Sequence, residues 1–467
     1  MNTIINEILI SILRKTDAYK KCQNKELRKQ KGQFFSSLTI AQFMANQLVT
    51  PHQTEVSILD PGAGNGLLGF MALAKCLEWK TARNISLTYI ENDPKIHPIL
   101  QWLKSEIENK LSTSEVKIQV HIFKDNFILK SFSEKKYDIL ICNPPFAKIA
   151  RKSPEAAAMS DYVFGQPNMY ALFSLKGLSL LKPDAQFVLI TPRSWTSGNY
   201  FLRMREYVLG NVSLEKIHLF GSRGSVFSDE EVLQETIIWT GRIAEQKRNI
   251  TVSISKNDHF ADVTTFSGNS NMLLSDNPDK NIFLPSSYQD YCLLSQMREQ
   301  KNTFDSLGYL FKTGPVVEFR CKNALSKQKR DNFIPMVRPS NIQKGGFCFP
   351  LDIGKAQYVN VQNNPAFVIP NTPTVLVRRL SAKEEPRRLQ CCAYRPIPDE
   401  SNISVENHVN YLIRKDGKPI SEEEIDWACN LLASDKYECY FRMLSGSTQV
   451  NARELNMLPV EGRRKEQ

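Results

Sequence analysis

The run Tyr137-Asp138-Ile139-Leu140-Ile141-Cys142 reads as a buried strand and leads directly into Asn143-Pro144-Pro145-Phe146. Each proline lacks an N–H and has a locked φ, so two in succession stop the strand and stiffen the backbone. The product is a rigid corner at the carboxyl end of a strand, where open α/β sheets hold their ligands. An amide begins this corner and an aromatic ring ends it. Such a pair can accept the protons of a planar amine and stack on its face. A plain strand-terminating turn would use the same residues, so the meaning of the corner depends on what precedes it.

Three further strand ends precede it. Val56 to Asp60 is apolar and leads into Pro61-Gly62-Ala63-Gly64-Asn65-Gly66, followed by the helical run Leu67 to Ala74. Glycines in such a turn let backbone approach a ligand, and the helix N-terminus offers N–H donors. Ile85 to Ile90 reads as a second strand ending in Glu91-Asn92-Asp93, an acid placed to accept hydrogen bonds from a ribose diol. Val116 to Phe123 alternates as a third strand before Lys124-Asp125-Asn126-Phe127. The succession predicts an α/β fold with its ligand site along these strand ends.

At 467 residues the chain is long enough for two domains. Its 42% hydrophobic content, with alternating helix and strand patterns, makes it globular. No apolar run reaches the length of a membrane span. The first ten residues contain an acid, lack a leading basic region and read as an amphipathic helix rather than a signal peptide. Ten cysteines without a Cys-x-x-Cys pair point to reduced thiols in a cytoplasmic protein with no metal site. Cys142 reads as a small buried hydrophobe rather than a nucleophile. The net charge is +11, and residues 301–400 hold 16 Lys+Arg against 8 Asp+Glu, which favours a polyanionic partner.

Further along, Met169 to Leu181 reads as a helix, Phe187 to Thr191 as a strand, and Thr236 to Trp239 as the strand that closes the sheet. Residues 261–281 turn to Ser, Asn, Asp and Gly without periodicity and read as a linker. Beyond them, short strands such as Val375 to Arg379 alternate with turns, and Glu422 to Leu432 reads as a helix.

Taken in order, Lys31-Gly32-Gln33-Phe34-Phe35-Ser36, the glycine turn and Asn143-Pro144-Pro145-Phe146 resemble a gamma-class N6-adenine DNA methyltransferase of type II restriction-modification systems. The resemblance is strong over residues 25–245. Over 300–460 it is fainter, but Gly314 to Val317, Asn407 to Tyr411 and Ser445 to Ala452 look like segments of BsuBI- and PstI-type enzymes. It implies an α/β fold: a Rossmann-like S-adenosylmethionine-dependent methyltransferase sheet with helices on both faces, plus a C-terminal mixed α/β target-recognition domain. The implied division is an N-terminal helical segment (1–30), a catalytic domain (31–260), a linker (261–300) and a DNA target-recognition domain (301–467). It also implies double-stranded DNA as partner, a separately encoded cognate endonuclease and a monomer.

By the same resemblance, Asn143, Pro144, Pro145 and Phe146 form the catalytic corner, with Phe146 stacking on an extruded base. Phe227 matches a second stacking ring, or is a core aromatic before the next strand. Phe34, Asp60, Gly62, Gly64, Gly66, Glu91, Asp125 and Phe173 match cofactor-binding positions, and Phe173 reads equally as a core helix residue. Two departures stand out: Asn126 intervenes between Asp125 and Phe127, and Ser36-Ser37 stands where many relatives have Thr-Pro. Arg320, Arg338, Arg378, Arg379, Arg387 and Arg388 are the best candidates for DNA contact, although each alone reads more readily as a solvated surface charge. The sequence leaves open N4-cytosine, RNA or a protein glutamine as acceptor, and a non-catalytic DNA-binding relative.

Overall fold

The computed structural model describes residues 2–461 except 24, 25, 27, 29–31, 133–135, 222–234, 353, 382–384 and 447. Two compact units follow one another along the chain, Met1–Ser287 and Tyr288–Gln467.

The first unit is built on nine strands: Glu55–Pro61 (β1), Asn84–Ile90 (β2), Lys117–Phe123 (β3), Tyr137–Cys142 (β4), Leu181–Pro192 (β5), Ser213–Phe220 (β6), Thr236–Arg242 (β7), Asn249–Ser255 (β8) and Thr264–Asn269 (β9). Their order in the sheet is β3-β2-β1-β4-β5-β7-β6-β8-β9. β1 to β5 run parallel, and β7 lies antiparallel between β5 and β6. All six residues of β4 are buried, which explains why its sequence is a nearly continuous apolar run rather than an alternation.

From β1 the chain steps one way through helix Leu67–Trp79 to β2. From β4 it steps the other way through helix Met169–Ser179 to β5. Right-handed crossovers taken in opposite directions put these helices on opposite faces of the sheet. They also leave a crevice beyond the carboxyl ends of β1 and β4, where the strand order reverses. Ile58 pairs with Ile139 and Leu59 with Leu140, so the two strands end side by side. The Cys142 thiol donates to the Pro61 carbonyl at 3.0 Å. Burial pushes this thiol well above its ordinary value, which keeps it protonated and inert.

Three expectations change. The strand beginning at Thr236 is interior, flanked by β5 and β6, and β9 closes that edge instead. Residues 261–281 carry β9 and a short helix, Ser270–Leu273. Their polar composition fits an edge strand with half its residues exposed, not a linker. The first unit accordingly extends to Ser287. Helix Asn2–Cys22 buries Ile8, Leu9 and Ile12 in the same core as β1 and β2, so it belongs to this unit.

His218 in β6 is buried against Phe43, Phe220 and Phe260, with its ring nitrogens on Ser253 and Ser255. Desolvation pushes its pKa from 6.5 down to about 4. Between these values the unfolded chain binds the proton and the folded chain does not, so stability falls as pH drops from 6.5 toward 4. The full loss is on the order of 3 kcal/mol at 1.36 kcal/mol per pKa unit. Urea midpoints at pH 7 and pH 5 should show it, and His218→Gln, which cannot titrate, should flatten that part of the profile.

The second unit contains a four-stranded antiparallel sheet in the order Tyr309–Thr313, Val409–Arg414, Thr374–Arg378, Cys391–Tyr394. A five-stranded sheet holds Phe333–Val337 and Asn402–Val405 side by side. Val337, Leu376, Tyr394, Val405 and Val409 share one core. Helix Glu422–Ala433 starts at a capping box in which Ser421 Oγ accepts from Glu424 N at 3.2 Å and Glu424 Oε2 accepts from Ser421 N at 2.8 Å. Among the described residues no helix is long and apolar enough to cross a membrane.

Candidate functional site

A cavity of about 400 Å³ lies at the carboxyl ends of β1, β2, β3 and β4. Its walls include Phe34 and Phe35, Gly62 and Gly64, Glu91 to Pro94, Asp125 to Phe127, Asn143 and Pro145, and Met169 and Phe173. The size suits a nucleoside-sized ligand.

The glycine turn after β1 brings backbone to the cavity wall. Gly62 and Gly64 have φ of +67° and +53°, where L side chains are strained. A Cβ on Gly62 would stand 3.1 Å from the Phe173 ring, and one on Gly64 3.1 Å from the Phe35 ring. Both rings line the same cavity. Gly66 serves packing instead. A Cβ there would lie 2.7 Å from Leu103, so the glycine lets helix Leu67–Trp79 pack closely against helix His97–Lys110. Asp60 lies beneath the cavity, fully buried, and accepts from Gly69 N at 2.8 Å. It ties the end of β1 to the helix rather than lining the cavity.

Glu91 is buried and its carboxylate accepts from Gly64 N and from Asp93 N, both at 2.8 Å. Burial pushes its carboxyl above the ordinary value. A carboxylate has room for about four acceptor contacts, and the side chain lines the cavity. Asp125 stands on the next strand end, half exposed and 2.8 Å from Lys130. The Phe127 and Phe173 rings lie 5.1 Å apart beside it. The displaced Phe127 thus reaches the cavity despite the inserted Asn126.

At the corner after β4, Asn143 Nδ2 donates to the Phe34 carbonyl at 2.8 Å and to Ser36 Oγ at 3.1 Å. A carbonyl only accepts, so the amide orientation follows: nitrogen toward Phe34, Oδ1 away from it. Phe146 N donates to the Gly32 carbonyl at 3.2 Å. The Phe146 ring lies 5.9 Å from Phe34 and 6.2 Å from Tyr170. Pro144 and Phe146 alternate in sequence with the cavity-lining Asn143 and Pro145 but are not part of that lining.

Lys148, Ile149, Glu155 and Met169 also line the cavity and carry no sequence motif. They arrive through a chain reversal in which Met169 N donates to Ala147 O at 2.9 Å and Ile149 N to Pro167 O at 3.1 Å. Phe227 lies outside the described residues.

In the second unit most of the candidate arginines have internal partners. Arg338 is buried, pairs with Glu318 and donates to the Ala356 carbonyl at 3.0 Å. Arg378 donates to the carbonyls of Pro339 and Ile342 and to Gln390 Oε1. Arg379 donates to Asn407 O, Arg387 pairs with Asp435 at 2.6 Å, and Arg388 is buried on Ser381. Arg320 is exposed, its guanidinium 5.4 Å from the Phe319 ring.

Residues 59–227 match the family model described as Eco57I restriction-modification methylase. The chain is similar to the type II methyltransferase M.PstI of Providencia stuartii, with 33% identity covering 97% of this chain and 90% of that protein. Similarity to M.BsuBI of Bacillus subtilis is 27%, covering 92% and 88%. Among solved structures, the type IIL restriction-modification enzyme MmeI in complex with DNA superposes with a TM-score of 0.51 at 12% identity, covering 95% of this chain and 64% of that one, a likeness of fold. The chain therefore belongs to the type II restriction-modification DNA methyltransferases, whose methyl donor is S-adenosylmethionine.

Proposed function

We propose that this enzyme methylates N6 of an adenine flipped out of a short duplex site, acting as a monomer in the cytoplasm to protect that site from a separately encoded endonuclease. One observation carries the reading: Asn143 lines the cavity and its Nδ2 has two acceptors within hydrogen-bond reach on the protein, which leaves Oδ1 as an acceptor for a ligand.

The cavity fits the donor. A nucleoside diol can donate to the Glu91 carboxylate, and Asp125 can accept from an adenine amine whose ring lies against Phe173 and Phe127. Gly62 and Gly64 leave the space that a Cβ would fill. Bound there, S-adenosylmethionine supplies a methyl group activated by a sulfonium leaving group.

The adenine amine is a poor nucleophile because its lone pair is delocalised into the ring. Asn143 Oδ1 and the Pro144 carbonyl, accepting its two protons, favour a pyramidal nitrogen and stabilise positive charge as it develops. The surplus proton leaves to solvent after transfer. Two prolines hold these acceptors still, so most of the rate comes from positioning. An adenine within a duplex cannot reach the corner, so the base turns out and stacks on Phe146. N4-cytosine enzymes more often begin the corresponding motif with serine, so by that resemblance Asn143 favours adenine. Digestion of methylated duplex to nucleosides tests the choice: N6-methyladenine supports the reading, and N4-methylcytosine or transfer only to RNA removes it.

Sequence choice belongs, on this reading, to residues 288–467, within which the stretch 301–400 holds 16 Lys+Arg against 8 Asp+Glu. Of the arginines singled out, Arg320 has the exposure for a phosphate contact. Arg320→Ala should weaken DNA binding uniformly across sequences and lower the salt slope of log affinity by about one. An unchanged slope in a salt titration would assign Arg320 elsewhere.

A further inference from the structure

We infer that Ser36 is a positioning residue for methyl transfer: with the Phe34 carbonyl it locks the Asn143 amide so that Oδ1 faces the target amine. The inference rests on the proposed role of Asn143. The terminal torsion of an asparagine is broad and two-fold, so a free side chain would present oxygen and nitrogen about equally. Two acceptors remove that freedom. The Phe34 carbonyl, 2.8 Å from Nδ2, sets which way the amide points, because a flipped amide would put oxygen against oxygen. The Ser36 hydroxyl, 3.1 Å from the same nitrogen, takes the second proton and holds the amide plane.

Ser36 can do this because its backbone is held on both sides. Upstream, the Gly32 carbonyl accepts from Phe146 N at 3.2 Å. Gly32 has φ +65°, and a Cβ there would lie 2.8 Å from the backbone nitrogens of both Phe146 and Ala147, so this approach needs glycine. Downstream, Ser37 caps helix Leu38–Ala45, its Oγ accepting from Ile40 N at 3.3 Å, and donates to Asp258 Oδ2 at 3.4 Å. Ser36 itself is not among the residues that line the cavity. Its loss should therefore slow transfer without weakening the cofactor.

The test is single-turnover methyl transfer, measured beside cofactor affinity by calorimetry, for Ser36→Ala, Ser36→Thr and Asn143→Ala in the full-length protein. Ser36→Ala should lower the transfer rate about tenfold, the worth of one hydrogen bond that holds the amide plane, with cofactor affinity within about twofold. Ser36→Thr keeps the acceptor and should restore most of the rate. A wild-type rate in Ser36→Ala, an equal loss in Ser36→Thr, or a rate loss matched by lost cofactor affinity would each overturn the inference. If Asn143→Ala also retains the wild-type rate, the catalytic reading fails first; if only Asn143→Ala is slow, Ser36 alone loses its role.

Discussion

Replacing Asn143 with alanine should lower the single-turnover rate of methyl transfer by about a thousandfold while leaving cofactor affinity within about threefold. The expectation follows from what the side chain does. Removing one preorganised group aimed at developing charge costs about 3–4 kcal/mol in systems where it has been measured, or two to three orders of magnitude in rate. The cofactor should be nearly indifferent, because Glu91, Asp125, Phe173 and the glycine turn surround the rest of the cavity. The alanine variant also releases the Phe34 carbonyl and the Ser36 hydroxyl, which water can satisfy at a partly exposed site. Folding should therefore survive, and circular dichroism would verify it. Turnover within tenfold of wild type would remove Asn143 from the chemistry.

Gly64→Val should have the complementary effect, with loss of cofactor binding by about a hundredfold or more in calorimetry. A left-handed conformation costs a non-glycine residue about 1–2 kcal/mol, and more for a β-branched one. The new Cβ would also stand 3.1 Å from the Phe35 ring, so the ring must move within the cavity wall. Either relaxation disturbs the hydrogen bond from Gly64 N to Glu91, 2.8 Å in length. Strain common to the free and bound protein leaves affinity unchanged, so the hundredfold loss, about 2.8 kcal/mol, comes from the displaced Phe35 ring and the disturbed Glu91 within the cavity wall. Gly64→Ala, free of β-branching, should lose less. Wild-type affinity in the valine variant would mean that the cofactor does not approach this turn.

The strands of the cofactor half were legible because the apolar runs end abruptly at residues with a conformational reason to be there. β4 ends at two prolines, β1 at a glycine turn and β2 at an acid, and each boundary is observed within a residue or two of where the pattern stops. The other edge was less legible. β9 carries Thr264, Thr265, Ser267 and Asn269 because an edge strand has an exposed face, and that composition imitates a loop. Thr236–Arg242 reads as any buried strand would, and pattern alone does not say which neighbours it pairs with.

Around the cavity, Gly62, Gly64, Glu91, Asp125 and Asn143 were legible from the strand ends, and Phe34 and Phe173 from the family resemblance, whereas other lining residues carried no signal. Lys148 and Glu155 reach the cavity through the reversal between Ala147 and Met169, which no local periodicity announces. Asp60 and Gly66 were marked by position in the turn, yet they serve the helix packed behind it. Arg338 and Arg378 show the same limit. Their charge is visible in the sequence, whereas their engagement by Glu318 and by the carbonyls of Pro339 and Ile342 is visible only in the fold.

The most direct measurement is a crystal structure of the protein with S-adenosylmethionine bound. The account predicts the adenosine end beside Glu91, Asp125 and Phe173, and the reactive methyl group at the Asn143 end, open toward Oδ1. A donor bound in the reverse sense, or a methyl group out of reach of a base held by Asn143, would contradict it.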